Sequence, residues 1–114
     1  MVEQSNKQAL SDILKATSDT TRRSLLTTLV QEGPTRVTDL ANHYEMSLNA
    51  VSKHIKVLEA AGLVSRRTLG RTHLIEANLE PIQRIDSWFQ NLRSIWDLRL
   101  EKLDQLLQED RHHD

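Results

Sequence analysis

The sequence predicts a mainly α-helical fold that contains one small β-hairpin. Only 3 Gly and 2 Pro occur among the 114 residues, which disfavours a turn-rich β fold. Apolar residues recur every three or four positions along most of the chain, as they do on the buried face of a helix. After Gly62 this spacing gives way to a short alternating segment, which is typical of strands. The length corresponds to a single domain, residues 1–114.

Two helices are predicted before residue 35. Apolar residues at helical spacing between Ala9 and Leu14 indicate the first helix, and Asp19 is a favourable N-cap for the next. The second helix is expected from about Thr20 to Gln31, because Gly33 and Pro34 follow it and such residues end helices.

Residues 35–62 have the pattern of a helix-turn-helix. Thr35 is expected to cap a short third helix, and Ser47 is expected to cap a fourth helix at residues 48–61. Gly62 ends the fourth helix. Two helices of about ten and fourteen residues, joined by a turn of three or four, form this motif.

A hairpin is predicted at residues 63–77 and one long helix at residues 81–109. β-branched and apolar residues flank Leu69-Gly70-Arg71, where the glycine suits a tight turn. Pro81 occupies a position typical of the first turn of a helix, and helical apolar spacing follows it. A hairpin directly after a helix-turn-helix makes the predicted fold a winged helix-turn-helix.

The residue types exclude several classes of function. No Cys occurs, which excludes disulfides, thiolate metal sites and a cysteine nucleophile. Glycine-rich phosphate loops and catalytic motifs are absent from the sequence, and none of the five His residues forms an i, i+4 pair. We therefore predict no enzyme, no cofactor and no metal site. A cytoplasmic protein is expected, since the sequence has neither an apolar signal segment nor a membrane-spanning apolar run.

The outer face of the fourth helix is the first candidate site. At 100° per residue, Val51, Ile55 and Leu58 share the inward face. The opposite face carries Asn49, Lys53 and Lys56, which are side chains able to reach base edges and phosphates. A solvated helix face explains the same pattern equally well, and His54 suits either a local hydrogen bond or a phosphate contact.

The hairpin adds positive charge next to this face. Residues 47–73 contain five basic residues and one acid, for a net charge of +4, whereas the whole chain has −1. Arg71 at the tip of the wing is placed to contact phosphate or the minor groove, although an ordinary solvated charge fits too. The candidate DNA-binding residues are Ser47, Asn49, Ser52, Lys53, His54, Lys56, Arg66 and Arg71.

The last helix predicts a dimer surface. Its apolar stripe spans residues 82–107, about 39 Å at 1.5 Å per residue, while a domain of this size is about 34 Å across. The simplest partner for so long a stripe is the same stripe of a second chain, although burial in the chain's own core is the alternative. The candidate interface residues are Trp88, Phe89, Leu92, Ile95, Trp96, Leu103 and Leu106.

Several segments of the sequence resemble those of a known family. Residues 46–64, from Met46-Ser47-Leu48-Asn49 to Ala61-Gly62-Leu63-Val64, closely resemble the recognition helix of ArsR-type winged-helix repressors. The segment 19–23 resembles the Asp-Pro-x-Arg entry to the family's second helix, with Thr20 in place of Pro, and residues 64–71 resemble the wing. The resemblance implies a bacterial homodimer that binds a palindromic operator. It also implies that the residues matching Asn49, Ser52, Lys53, His54 and the wing arginine face DNA.

Three departures from the family pattern concern metal sites and one turn. The segment 35–44 lacks the Cys-x-Cys ligands of many members, and residues 82–108 lack the His ligands of others. Neither metal site therefore carries over. Glu45 stands where glycine often makes the turn, at an expected cost of about 1 kcal/mol if its φ is positive.

The main hypothesis is a homodimeric, sequence-specific repressor that places helix 48–61 in the major groove of a palindromic operator without sensing metal. One alternative is a protein-interaction scaffold with no DNA role. Another is a metal-responsive repressor that uses His112 and His113 with nearby acids, although a solvated C-terminus is the simpler interpretation of that pair. The sequence does not define an effector.

Overall fold

The computed structural model describes residues 2–112, and the side chains of residues 5–111. The pair His112 and His113, considered above as a metal site, lies outside the described side chains. Within the described residues the chain forms five helices and three strands. They are α1 (Val2–Ala16), α2 (Thr20–Glu32), β1 (Thr35–Arg36), α3 (Val37–Tyr44), α4 (Leu48–Ala60), β2 (Val64–Leu69), β3 (Thr72–Ala77) and α5 (Ile82–His112).

The strands form one antiparallel sheet in the order β1-β3-β2. The β2–β3 register ends at the pair Leu69 and Thr72, which leaves a two-residue turn. Gly70 is the first residue of that turn and has a φ of 62°, which a tight hairpin requires at this position. The predicted hairpin wing is therefore present, and a third short strand extends it.

The third strand corrects one expectation from the sequence. Thr35 is not the N-cap of α3, because it pairs with Ile75 as part of β1. Its hydroxyl donates to the carbonyl oxygen of Gly33 at 2.8 Å. Arg36 precedes α3 instead, and it makes no side-chain capping bond. A two-residue strand is too short to give an alternating pattern, so sequence periodicity did not reveal it.

Two other helix caps are those that the sequence predicts. Asp19 accepts a hydrogen bond from the Arg22 amide at 3.0 Å at the start of α2. Ser47 accepts from the Ala50 amide at 3.1 Å at the start of α4. The turn before α4 contains Glu45 at φ 53° and ψ 38°, so a residue with a Cβ occupies left-handed backbone there.

The hydrophobic core lies between the helices and one face of the sheet. Ile13 of α1 and Leu25 and Leu29 of α2 are buried in it. Its α4 face is the predicted one, since Val51, Ile55 and Leu58 are all 0% exposed. The core therefore fixes the rotation of α4 about its own axis, and this rotation determines which side chains face solvent.

Helix α5 leaves this core soon after it begins. Ile82 and Ile85 pack against the core, whereas every described side chain from Asp86 onward is exposed. The helix has 31 residues, about 46 Å at 1.5 Å per residue. It therefore accounts for much of the 77 Å length of the chain.

Candidate nucleic-acid interface

The outer face of α4 presents polar and basic side chains to solvent. Asn49, Lys53 and Lys56 are exposed there. Ser52 and His54 lie half-buried on opposite flanks of the helix. Neither lysine forms an ion pair with another of the described residues. The structure therefore groups three of the predicted residues on one accessible face.

The wing tip lies close to the start of α4. Arg71 occupies the second position of the hairpin turn, and together with Ser52 it lines a groove of about 430 Å³. Arg36 and His73 line the same groove, but the sequence did not single them out. Arg36 belongs to the undetected strand β1, and an isolated basic residue gives no signal of its position. The groove lies between the first turns of α4 and the wing.

Arg66 and Arg67 differ from Arg71 because each forms an ion pair with a carboxylate of the same chain. The strand register pairs Arg66 with the buried Ile75, on the side of β2 that faces the helices. The Arg66 Nε donates to the Glu59 carboxylate at 3.0 Å. Arg67 lies 3.5 Å from the Glu76 carboxylate on the other side of the strand. Part of the predicted positive charge of the wing is therefore neutralised within the chain.

His54 contacts the start of α2 rather than projecting freely. Its Nδ1 lies 3.4 Å from the Arg22 Nη1 and 4.0 Å from an Asp19 carboxylate oxygen. The pKa of Asp19 lies below its usual value of 3.8, chiefly because the Arg22 amide donates to its carboxylate. The positive charge of Arg22 adds to this effect, and so does that of the His54 ring when it is protonated. Asp19 and Arg22 thus belong to the surroundings of the site, and sequence spacing gave no indication of that.

The predicted dimer residues form an exposed apolar stripe on α5. They are between 42% and 63% exposed, with Trp96 the most exposed of them. Trp88 and Phe89 stack edge to face with ring centroids 5.0 Å apart. The core of the same chain therefore leaves large parts of these side chains uncovered. We refer to Trp88, Phe89, Leu92, Ile95, Trp96, Leu103 and Leu106 as the α5 stripe.

Two further features concern metals and membranes. Across the described residues, no three His, Cys, Asp or Glu side chains converge in a way that would hold a metal ion. Among the same residues, no helix has the length and apolar character needed to span a bilayer.

A helix-turn-helix with a hairpin wing and a polar, basic outer face defines the class of winged-helix DNA-binding proteins. The family described as "Bacterial regulatory protein, arsR family" matches residues 19–66 of the chain. A solved structure of an ArsR family transcriptional regulator is 31% identical and has a TM-score of 0.72, covering 80% of this chain and 93% of that one. The chain belongs to this ArsR family of transcriptional regulators, as the recognition-helix motif indicated. Its function is therefore regulatory rather than enzymatic.

Individual relatives are similar over most of their length. The regulator YuzN of Bacillus subtilis is 34% identical over 86 residues, which cover 70% of this chain and 90% of the relative. The transcriptional repressor SdpR of the same organism is 29% identical over 82 residues, covering 72% and 90%. An ArsR-like regulator structure from Rhodococcus sp. RHA1 is 28% identical and has a TM-score of 0.78, covering 88% of this chain and 93% of that one.

Proposed function

We propose that the chain is a homodimeric, sequence-specific transcriptional repressor of the bacterial cytoplasm, which inserts α4 into the major groove of a palindromic operator. The observation that carries this proposal is the grouping of exposed Asn49, Lys53 and Lys56 on the outer face of α4. Ser52 on the flank of that helix lines a groove together with the wing arginine, Arg71. Short polar and basic side chains on an accessible helix are those that read base edges. The name of the relative SdpR supports repression as the outcome of binding.

The proposed contacts divide into base readout and phosphate contact. Asn49, Ser52 and Lys53 face or flank the outer side of α4, where they reach base edges. Ser47 uses its oxygen to cap α4 but keeps its hydroxyl proton for a phosphate. Residues on the periphery contact phosphates, and they are His54, Lys56, Arg66 and Arg71. Arg66 must first release Glu59, so it contributes less than Arg71.

The proposed dimer forms through the α5 stripe. Its side chains are about half exposed in the single chain, and burying each one in a second copy yields about 1–2 kcal/mol. A twofold axis then presents two α4 helices, which suit half-sites about one helical turn apart on one face of the duplex. Such a dimer predicts a palindromic operator. Metal sensing is not part of the proposal, because the matching segments lack the Cys and His ligands of the family's sensors.

Mobility-shift and footprinting experiments with DNA upstream of the chain's own gene test this proposal. We expect a salt-dependent complex with a symmetric footprint, and we expect Lys53→Ala combined with Arg71→Ala to abolish it. The matched control is Lys7→Ala combined with Arg67→Ala, which removes the same charge away from the proposed contacts and should retain most binding. Unchanged binding by the first double variant contradicts the proposal. Absence of any duplex binding at low salt favours a protein-interaction scaffold instead.

A further inference from the structure

We propose that Arg22 is a positioning residue for DNA binding, which holds the His54 ring so that its Nε2–H donates to a backbone phosphate. The inference rests on the proposed DNA-binding function and adds a residue outside the reading helix. Arg22 lies in α2, and its side chain reaches the α1–α2 turn and α4 at once.

The guanidinium of Arg22 is fixed by carbonyl groups at the end of α1. Its Nε donates to the Ala16 oxygen at 2.7 Å, and its Nη2 donates to the Lys15 oxygen at 3.2 Å. The backbone of Arg22 is held as well, because its amide donates to Asp19 at 3.0 Å. Because both the backbone amide and two guanidinium nitrogens of Arg22 are hydrogen-bonded, the third nitrogen, Nη1, is fixed in its direction toward His54.

The chemistry of this contact determines the tautomer of the histidine. A guanidinium has only N–H donors and is always charged in proteins, so it cannot accept a hydrogen bond. Hydrogen bonding of the His54 Nδ1 to Nη1, at 3.4 Å, therefore requires Nδ1 to accept, which places the ring proton of the neutral imidazole on Nε2. The Asp19 carboxylate oxygen lies 4.0 Å from Nδ1, too far to accept a hydrogen bond from it. Within the described residues, the one side-chain hydrogen bond of His54 involves Nδ1. Nε2–H is thus available to an external acceptor.

The position of His54 favours phosphate as that acceptor. His54 lies on the same flank of α4 as Ser47, the residue at which the helix starts. The side chain is 24% exposed, so the ring edge reaches solvent beside the face that carries Lys53. A neutral N–H donor at the edge of a reading helix suits a phosphate oxygen, and this contact depends little on base sequence.

Nuclear magnetic resonance of the ¹⁵N-labelled chain tests the first half of the proposal without DNA. At about pH 8, where imidazole is ordinarily neutral, we expect long-range ¹H–¹⁵N correlations to show the proton of His54 on Nε2. Arg22→Met should give a mixture of tautomers. Arg23→Met is the matched control, since Arg23 donates to the Thr17 oxygen of the same turn at 2.6 Å and, within the described residues, makes no hydrogen bond to His54. A proton on Nδ1 in the parent chain overturns the proposal.

Binding to a short duplex of random sequence at low salt tests the second half. We expect His54→Ala and Arg22→Met each to weaken binding about tenfold, and the double variant to be no weaker than either one. Additive losses, or a loss for Arg22→Met no larger than for Arg23→Met, overturn the role of Arg22 while leaving DNA binding in place. Absence of duplex binding by the parent chain refutes the proposed function itself, together with the phosphate contact.

A second pair of variants covers the case in which Arg22→Met does not fold. A glutamine amide at position 54 places an N–H donor near the position of Nε2, whereas an asparagine amide places it near Nδ1. We therefore expect His54→Gln to retain more duplex binding than His54→Asn. Equal losses for the two variants contradict a donor role for Nε2.

Discussion

Glu45 shows how a single backbone angle limits the stability of the helix-turn-helix. The residue ends α3 with φ 53° and ψ 38°, a conformation in which a Cβ is crowded by the backbone. Its amide donates to the Asn42 oxygen at 3.3 Å, and the next amide donates to the Ala41 oxygen. The turn therefore depends on this conformation, and glutamate adopts it at an energetic cost. The sequence indicated the position because glycine is usual there in the family.

We expect Glu45→Gly to raise the free energy of unfolding by about 0.5–1 kcal/mol, because glycine adopts positive φ without the Cβ clash. The gain is smaller than the full relief of strain, since glycine also increases the freedom of the unfolded chain. Urea unfolding followed by circular dichroism measures it. Glu45→Ala removes the same carboxylate but keeps a Cβ, so it should give no such gain. Equal stabilisation by both substitutions would show that charge, not backbone strain, is responsible.

The charged cap at Asp19 makes the stability of α2 depend on pH. The pKa of Asp19 is lowered in the folded chain, so its ionised form contributes stability above the unfolded pKa. That contribution is lost as the pH falls below 3.8 through the folded-state value. We expect Asp19→Asn, which keeps a capping oxygen but no charge, to lower the urea midpoint at pH 7. The difference in urea midpoint between the variant and the parent chain should become smaller toward pH 3. A difference that does not change with pH would contradict the charge argument.

Elements differ in how far their own sequence determines them. The rotation of α4 was predictable, because its apolar residues lie on one face and the core buries that face. The placement of Arg66 was not, because side chains alternate across a strand and only the register shows that Arg66 shares a side with Ile75. The groove shared by Arg36, Ser52 and Arg71 likewise depends on tertiary packing. The distribution of charge along the sequence therefore indicated where the candidate site lies. It did not show which carboxylate each basic residue contacts.

The wing allows a direct comparison between an arginine that is ion-paired, Arg66, and one that is not within the described residues, Arg71. Arg66 must give up its 3.0 Å contact with Glu59 to reach phosphate, whereas Arg71 at the turn forms no ion pair within the described residues. We expect Arg71→Met to reduce duplex affinity more than Arg66→Met. It should also lower the magnitude of the slope of log affinity against log salt by about 1.8, because the proposed dimer contains two copies of Arg71. Fluorescence anisotropy over a salt series measures both. Arg67→Met serves as the control on the opposite side of the same strand, and a larger effect for Arg66→Met would refute the ranking.

At the scale of the whole molecule, charge and apolar surface are separated along the chain. The formal net charge of −1 is not evidence against nucleic-acid binding, because residues 47–73 carry a net charge of +4 while the rest of the chain is acidic. The exposed apolar surface is concentrated on α5, at the other end of the sequence from the caps and core of α1 and α2. The basic segment 47–73 and the α5 stripe are thus available to two different partners, namely a polyanion and a second copy of the chain. Whole-chain averages conceal this separation, whereas segment charges and helical spacing revealed it.

The α5 stripe leads to the last prediction, since its seven members lie within about 120° around the helix at 100° per residue. Trp96 belongs to the stripe and is 63% exposed, whereas Leu98 is 60% exposed but lies about 160° away around the helix. We expect Trp96→Asp to weaken dimerisation at least about a hundredfold, because a twofold interface would bury two unpaired carboxylates in place of two indoles. Leu98→Asp has nearly the same exposure and charge change and should leave the dimer intact. Analytical ultracentrifugation distinguishes the 13.1 kDa chain from a species of twice that mass. Equal effects of the two substitutions, or a Trp96→Asp chain that remains dimeric, would place the interface elsewhere than on the stripe.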